Sequence, residues 1–176
     1  MKRLLPLVFA GLMLVGCAAG RPVVDNAGPA GLLIVPEDLR PPAPSLRGTA
    51  LTGERFALTT LLGQVVVLNG YASWCPPCLT ELPALAAADR DLPGLQVVGI
   101  DVADSPQAGL GVLEAIGATY PALDDPRGVL LSAFTGSPTR GLPFSIIIDP
   151  QGRVAGRIIG PATDAMLAEV VAAVGA

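Results

Sequence analysis

Two cysteines, Cys75 and Cys78, stand two residues apart in Trp74-Cys-Pro-Pro-Cys78, and no other residues of this chain are better spaced for chemistry. Val65-Val-Val-Leu-Asn-Gly70 precedes them, a β-favouring apolar run ending in Asn-Gly, and a stretch with helical periodicity follows to about Arg90. The pattern predicts a buried strand, a turn, and a helix with two thiols at its mouth. A cysteine reacts only as thiolate, and a helix N-terminus favours the anion through its dipole and free amides. Cys75 is therefore expected at that terminus as a partly exposed attacking thiol, with Cys78 one turn inward as the thiol that resolves a mixed disulfide. The i, i+3 spacing puts both sulfurs on one side of the first turn, within bonding reach. Pro76 and Pro77 lack amide hydrogens that the first turn could not use, and they stiffen the loop.

Glu81 follows Cys78 by three and shares its face. A carboxylate there can exchange a proton with a buried thiol, and its charge opposes thiolate formation. The alternative is a first-turn acid that does no more than offset the helix dipole. For the cysteine pair the alternatives are a static disulfide or half of a metal site. So small a loop gains little stability from a bridge, and a metal would need two further ligands.

Composition removes other chemistries. The chain of 176 residues contains no histidine, which excludes Ser-His-Asp and Cys-His catalysis and the commonest zinc ligand. Lysine occurs only at Lys2, so a Schiff-base lysine is not available once the leader is gone. The formal net charge is −4, and loss of Lys2 and Arg3 makes it −6. An acidic domain without lysine has no electrostatic footprint for nucleic acid. Neither a metal nor another cofactor is expected.

The amino terminus reads as an address. Met1-Lys2-Arg3 is a short basic region, and Leu4 to Val15 is an apolar run of signal-peptide proportions. It ends in Leu14-Val-Gly-Cys17, which looks like a bacterial lipobox, with Cys17 diacylated as the new first residue. The organisation expected is a lipoprotein signal peptide over 1–16, a lipid-anchored tether over 17–44, and one domain over 45–176. Two acyl chains would hold the domain on the outer face of a membrane, in a disulfide-permissive compartment facing the periplasm if the cell has two membranes. Within the Gly- and Pro-rich tether, Gly31-Leu-Leu-Ile-Val-Pro36 is an apolar island, expected to pack on the domain surface or else to bind a partner as a strand.

The elements that must position the thiols follow in order. A hairpin turned at Gly53 is expected over Leu46 to Leu58, then one helical turn stopped by Gly63, the strand from Val65, and a helix from Pro76 with Leu79, Leu82, Leu85 and Ala86 on its apolar stripe. Leu95 to Ile100 is a second buried strand. Ser105 caps a helix stopped by Gly117, and a short extended piece, Tyr120 to Leu123, leads through a turn to a short helix from Gly128. Phe144-Ser-Ile-Ile-Ile148 and Arg153 to Ile159 form a hairpin, and Thr163 or Asp164 caps the last helix. The fold class is α/β, a mixed central sheet flanked by helices with an N-terminal β-hairpin.

Trp74-Cys-Pro-Pro-Cys78 after a Val-rich strand resembles the thioredoxin superfamily, and the wider pattern is similar to its extracytoplasmic TlpA/ResA/CcmG branch. Further matches are Ala43-Pro44 before the first hairpin, Asn69 where thioredoxins proper carry a buried aspartate, Ala72-Ser73 before Trp74, Glu81-Leu82-Pro83, Gly141-Leu142-Pro143, and Asp149-Pro-Gln-Gly-Arg-Val154. The resemblance covers about Ala43 to the end. It implies a thioredoxin-like fold, Cys75 as nucleophile, Cys78 as resolving thiol, and Glu81 as the acid that tunes them. It also implies a cis Pro143 that holds the Leu142 backbone where a substrate strand can pair, and a substrate face shaped by Trp74. Gly70-Tyr71 and Phe144-Ser145 depart from the branch's usual residues.

The function expected is that of a membrane-anchored thiol–disulfide oxidoreductase working on a protein disulfide, most often as a reductase. In this branch a usual task is reduction of the Cys-x-x-Cys-His haem-attachment site of apocytochrome c, with electrons from a membrane thiol carrier of the CcdA or DsbD kind. Two alternatives are a peroxiredoxin-like thiol peroxidase and a non-catalytic binding lipoprotein. The first expects Pro-x-x-x-Thr-x-x-Cys, and this chain has Ala72-Ser73-Trp74 before Cys75.

Overall fold

The computed structural model describes residues 31–134 and 141–175; Cys17 and the expected signal peptide lie outside them. The scaffold is a six-stranded mixed sheet in the order β1 (Leu32–Ile34), β8 (Val154–Ile159), β7 (Phe144–Ile148), β4 (Val65–Tyr71), β5 (Leu95–Val102) and β6 (Ala122–Asp125), with a separate hairpin of β2 (Arg47–Thr49) and β3 (Arg55–Ala57). At its centre β4 (Val65–Tyr71) is buried along its whole length. Its continuous apolar run, rather than an alternation, is what a strand covered on both faces requires. β5 (Leu95–Val102) and β6 (Ala122–Asp125) extend the sheet in parallel on one side. β7 (Phe144–Ile148) and β8 (Val154–Ile159) pair antiparallel on the other.

Side-chain alternation along β4 divides the core into two layers. Val65, Val67 and Tyr71 face α1 (Pro76–Asp91), α2 (Pro106–Ala115) and α4 (Asp164–Val174), meeting Leu82, Leu85, Leu113 and Leu167. Val66 and Leu68 face the other way, toward Leu46, Leu58 and the short α3 (Val129–Ser132), where Leu131 packs. The hairpin expected around Gly53 is β2 (Arg47–Thr49) paired with β3 (Arg55–Ala57), and a 3-10 turn over Leu58–Leu61 follows it.

Two expectations are corrected. Leu79, assigned to the apolar stripe of α1, is 40% exposed, because the buried face runs through Cys78, Glu81, Leu82 and Leu85. The island Gly31 to Pro36 packs on the domain as expected of it, but as part of the sheet, so folded structure begins ahead of the expected boundary at residue 45. β1 (Leu32–Ile34) is the sheet's edge strand, antiparallel to β8, and Arg40 reaches the buried Asp149 at 3.3 Å. Asp149 also holds Arg153 at 2.7 Å, so one carboxylate fastens the N-terminal segment to the β7–β8 turn.

Candidate active site

Cys75 is the N-cap residue of α1 and Pro76 opens the helix. Cys75 and Cys78 are joined, with 2.04 Å between the sulfurs and 5.3 Å between the Cα atoms. The Cys78 amide donates to Cys75 Sγ at 3.3 Å. That N–H, together with the helix dipole, is what would stabilise a Cys75 thiolate once the bond is reduced. Cys75 is only 4% exposed, against the expectation of a partly exposed thiol. Its sulfur is bonded to Cys78 Sγ and accepts the Cys78 N–H.

The loop ahead of the cysteines is clamped from the end of β5. Asp104 accepts the Ser73 N–H at 2.6 Å with one carboxylate oxygen and the Ser105 N–H at 2.7 Å with the other. Some burial acts to raise its pKa, but these bonds outweigh it and hold the carboxyl below the usual range. Trp74, 59% exposed, donates its indole N–H to Ala103 O at 3.0 Å. Ala103 sits at φ +53°, a left-handed conformation unfavourable to a residue with a Cβ, and this aims its carbonyl at the indole. Neither Ala103 nor Asp104 stood out in the sequence. Asp104-Ser-Pro106 reads there as a helix start, and Ser105 does cap α2. The second carboxylate partner, 31 residues away, left no local signal.

Glu81 lies a turn beyond Cys78 and is 1% exposed. Its Oε1 accepts from Asn69 Nδ2 at 2.7 Å and its Oε2 from the Ala162 N–H at 2.5 Å. It does not serve as a solvent-facing acid at the helix start; α1 has no acid in its first turn. Burial pushes its pKa up to about 7, against the pull of the Ala162 and Asn69 bonds. Asn69 Nδ2 also donates to Ser145 Oγ at 3.1 Å, while Asn69 Oδ1 is buried without a partner among the described residues. Rotating that amide by half a turn presents Oδ1 as acceptor to a protonated Glu81. The Asn69 side chain can thus serve both protonation states of the carboxyl.

A second buried acid, Asp101, closes β5. It is 1% exposed, and neither of its oxygens has a partner among the described residues. Burial, then the charges of Asp104 and Asp124, raise it to about 7. It presses on α2 at Gly109, where a Cβ would stand 2.1 Å from Oδ2, so only glycine fits. Tyr71 completes this corner by donating its hydroxyl to Gly109 O at 3.1 Å.

The Leu142–Pro143 peptide bond is cis, as the resemblance implies. Leu142 and Trp74 flank a cavity of about 190 Å³, lined also by Val102, Ala103, Leu131 and Phe144. Gly70 leaves room for two of its walls, since a Cβ there would meet Leu131 Cδ1 at 2.4 Å and Leu142 Cδ2 at 3.3 Å. The structure therefore brings Trp74, Cys75, Leu142 and Pro143 to one end of the sheet, with Glu81 buried behind the cysteines. Cys17 lies outside the described residues.

Comparison with known proteins agrees with this geometry. The AhpC/TSA family matches residues 39–157. The thiol–disulfide oxidoreductase ResA of Bacillus subtilis is 30% identical over 168 residues, 94% of this chain and 90% of its own. The thiol:disulfide interchange protein HelX of Rhodobacter capsulatus is 30% identical over 167 residues, covering 94% of this chain and 89% of its own. Among solved structures, a DsbF homologue from Corynebacterium diphtheriae superposes with a TM-score of 0.75 at 29% identity, covering 87% of this chain and 99% of that one. With a thioredoxin-like sheet and two cysteines at bonding distance on the first turn of α1, the chain belongs to the AhpC/TSA family and is a thiol–disulfide oxidoreductase of the ResA, HelX and DsbE type.

Proposed function

We propose that this oxidoreductase acts as a reductase of protein disulfides on the outer face of a membrane, held there by lipid on Cys17. The observation that carries the chemistry is the Cys75–Cys78 bond at the N-terminus of α1, with the buried Glu81 carboxyl pushed up to about 7 beyond it. In the dithiol form, Cys75 thiolate attacks one sulfur of a substrate disulfide. A mixed disulfide forms and the other substrate sulfur leaves as a thiol after taking a proton. Cys78 then gives its proton to the Glu81 carboxylate and attacks Cys75 Sγ. The second substrate thiol is released, the Cys75–Cys78 bond is regenerated, and two electrons have passed to substrate. A carboxyl that titrates near neutrality can both take and return that proton.

Leu142 and cis Pro143 offer backbone beside the disulfide to a substrate strand, and the cavity between Trp74 and Leu142 takes a substrate side chain. Apocytochrome c, carrying a Cys-x-x-Cys-His site, is the protein substrate the branch resemblance favours, with a membrane dithiol carrier of the CcdA or DsbD kind as electron donor. Trapping tests this. A Cys78→Ser chain retains the attacking sulfur and is expected to accumulate a covalent adduct with a protein, identifiable by mass spectrometry. Capture of small thiols alone would overturn a dedicated protein substrate. Equal turnover of a disulfide by Cys75→Ser and the native chain would overturn the assignment of the nucleophile.

A further inference from the structure

β7 reads Phe144-Ser-Ile-Ile-Ile148 and is buried along its whole length, with Ser145 its one polar side chain. A hydroxyl inside such a strand costs stability unless it is hydrogen-bonded; an alanine or valine there carries no such cost. Strand register gives Ser145 its partner. It stands opposite Asn69 in the antiparallel β4–β7 pair, and Asn69 reaches in turn to Glu81 on α1. Asn69 Nδ2 carries two hydrogens. It donates one to Glu81 Oε1 at 2.7 Å and the other to Ser145 Oγ at 3.1 Å, and all three side chains are at most 1% exposed. Ser145 also follows cis Pro143 by two, so the strand that offers backbone to a substrate carries this hydroxyl.

The Asn69 amide has two orientations, and the hydroxyl weighs between them. As the amide stands, both Nδ2 hydrogens are bonded, and Oδ1 alone lacks a partner among the described residues. Half a turn withdraws both hydrogens from those acceptors and presents Oδ1 to Glu81, the arrangement that suits a protonated carboxyl. To follow that turn, Ser145 has to give up its role as acceptor and swing its own hydrogen toward Oδ1. The bond it accepts therefore opposes the rotation.

We propose that Ser145 is a positioning residue of the thiol–disulfide site: it holds the Asn69 amide with Nδ2 toward Glu81 and so favours the ionised carboxylate over the acid. This deepens the proton step assigned to Glu81 above and rests on it for its catalytic consequence, which is to set the pH range over which Cys78 can pass on its proton. Ser145 acts through Asn69 rather than on a sulfur. Few titratable groups face Glu81. Cys78 precedes it on α1, and the Tyr120 hydroxyl, ahead of β6, is raised in part by its charge. β4, β7 and the approach to α4 bring Asn69, Ser145 and the Ala162 N–H, none of which titrates. Replacing Ser145 by alanine removes one of the two bonds that fix the donor orientation. The carboxylate is then less supported, and Glu81 keeps its proton to a higher pH.

Glu81 is read directly in the oxidised chain, where neither cysteine titrates. Its side-chain carboxyl carbon is followed by NMR from about pH 4 to pH 9, the resonance being the one that Glu81→Gln removes. The Ser145→Ala midpoint is expected to lie above the native one by roughly half a pH unit to one unit, about a three- to tenfold gain in proton affinity, the size of one lost neutral hydrogen bond. Ser145→Thr keeps the hydroxyl and should titrate with the native chain. An alanine midpoint equal to the native one would overturn the proposal. So would a threonine midpoint that moves with alanine's, since the shift would then come from packing. Reduced chains read the thiol step separately. With one equivalent of a chromogenic aromatic disulfide, the first thiolate released reports attack by Cys75 and the second reports resolution by Cys78. The pH midpoint of the second release should move up in Ser145→Ala by the same amount as the carboxyl. A carboxyl midpoint that moves while the second release does not would uphold the role of Ser145 and count against the proton step alone.

Discussion

Replacing Glu81 by glutamine tests whether a buried carboxyl titrating near neutrality lies behind the cysteines. The side chain is 1% exposed, and its pKa stands at about 7 against an ordinary 4.5 because burial penalises the charged form. A group raised on folding binds its proton more tightly in the native state, so stability falls as pH rises between the two values. Below about 4.5 both states are protonated and there is no cost; above about 7 both are ionised and the whole cost is present. A shift of some 2.5 pH units corresponds to about 3 kcal/mol. Glu81→Gln removes this dependence and adds a pH-independent term, because a glutamine amide cannot accept from both Asn69 Nδ2 and the Ala162 N–H. Urea unfolding of the oxidised chains at pH 4, 5.5 and 8, with matching m-values, isolates the difference. The variant is expected to gain about 3 kcal/mol on the native chain between pH 4 and pH 8. Other groups that titrate, Asp101 among them, cancel in the comparison. A difference that stays flat over that range would refute the buried-carboxyl argument, and with it the proton step assigned to Glu81.

Further perturbations test other parts of the site. Asp101 titrates at about 7 and has no hydrogen-bond partner among the described residues, so Asp101→Asn should melt higher than the native chain at pH 8 and not at pH 4. Gly70→Val should drive Leu131 and Leu142 into the cavity beside Trp74. It is expected to raise KM for a protein disulfide several-fold, with turnover of a small-molecule disulfide unchanged and a stability cost of about 1–3 kcal/mol. Asp149→Ala leaves Arg40, whose side chain is 8% exposed, without its carboxylate; a loss of roughly 3–5 kcal/mol is expected, with faster amide exchange in β1. Asp125 accepts the Val129 and Leu130 N–H groups at 2.7 and 2.9 Å, so Asp125→Ala should loosen α3, lower stability by about 1–2 kcal/mol and weaken protein-substrate binding through Leu131.

What was legible in the sequence is what short-range chemistry specifies. Cys75, two prolines and Cys78 define an N-cap and a first turn without help from the rest of the chain, and Ser105 and Thr163 cap α2 and α4 by the same local rule. What was not legible depends on partners far along the chain. The apolar island from Gly31 to Pro36 announces a surface that must be covered but not its place in the sheet; it becomes the edge strand because Leu32 finds Ile158. Glu81 reads equally well as a dipole-offsetting acid or a proton carrier until Asn69 and Ala162 are seen to hold its two oxygens. Asp104 reads as part of a helix start until its other oxygen is found on Ser73. Each of these residues couples the cysteine loop to an element distant in sequence: β4 and the approach to α4 through Glu81, and the end of β5 through Asp104. The thiol chemistry is thus written locally. The groups that set its protonation and hold its loop are written in the fold, and these are the features by which one oxidoreductase on this scaffold can differ from another that shares its Cys-Pro-Pro-Cys.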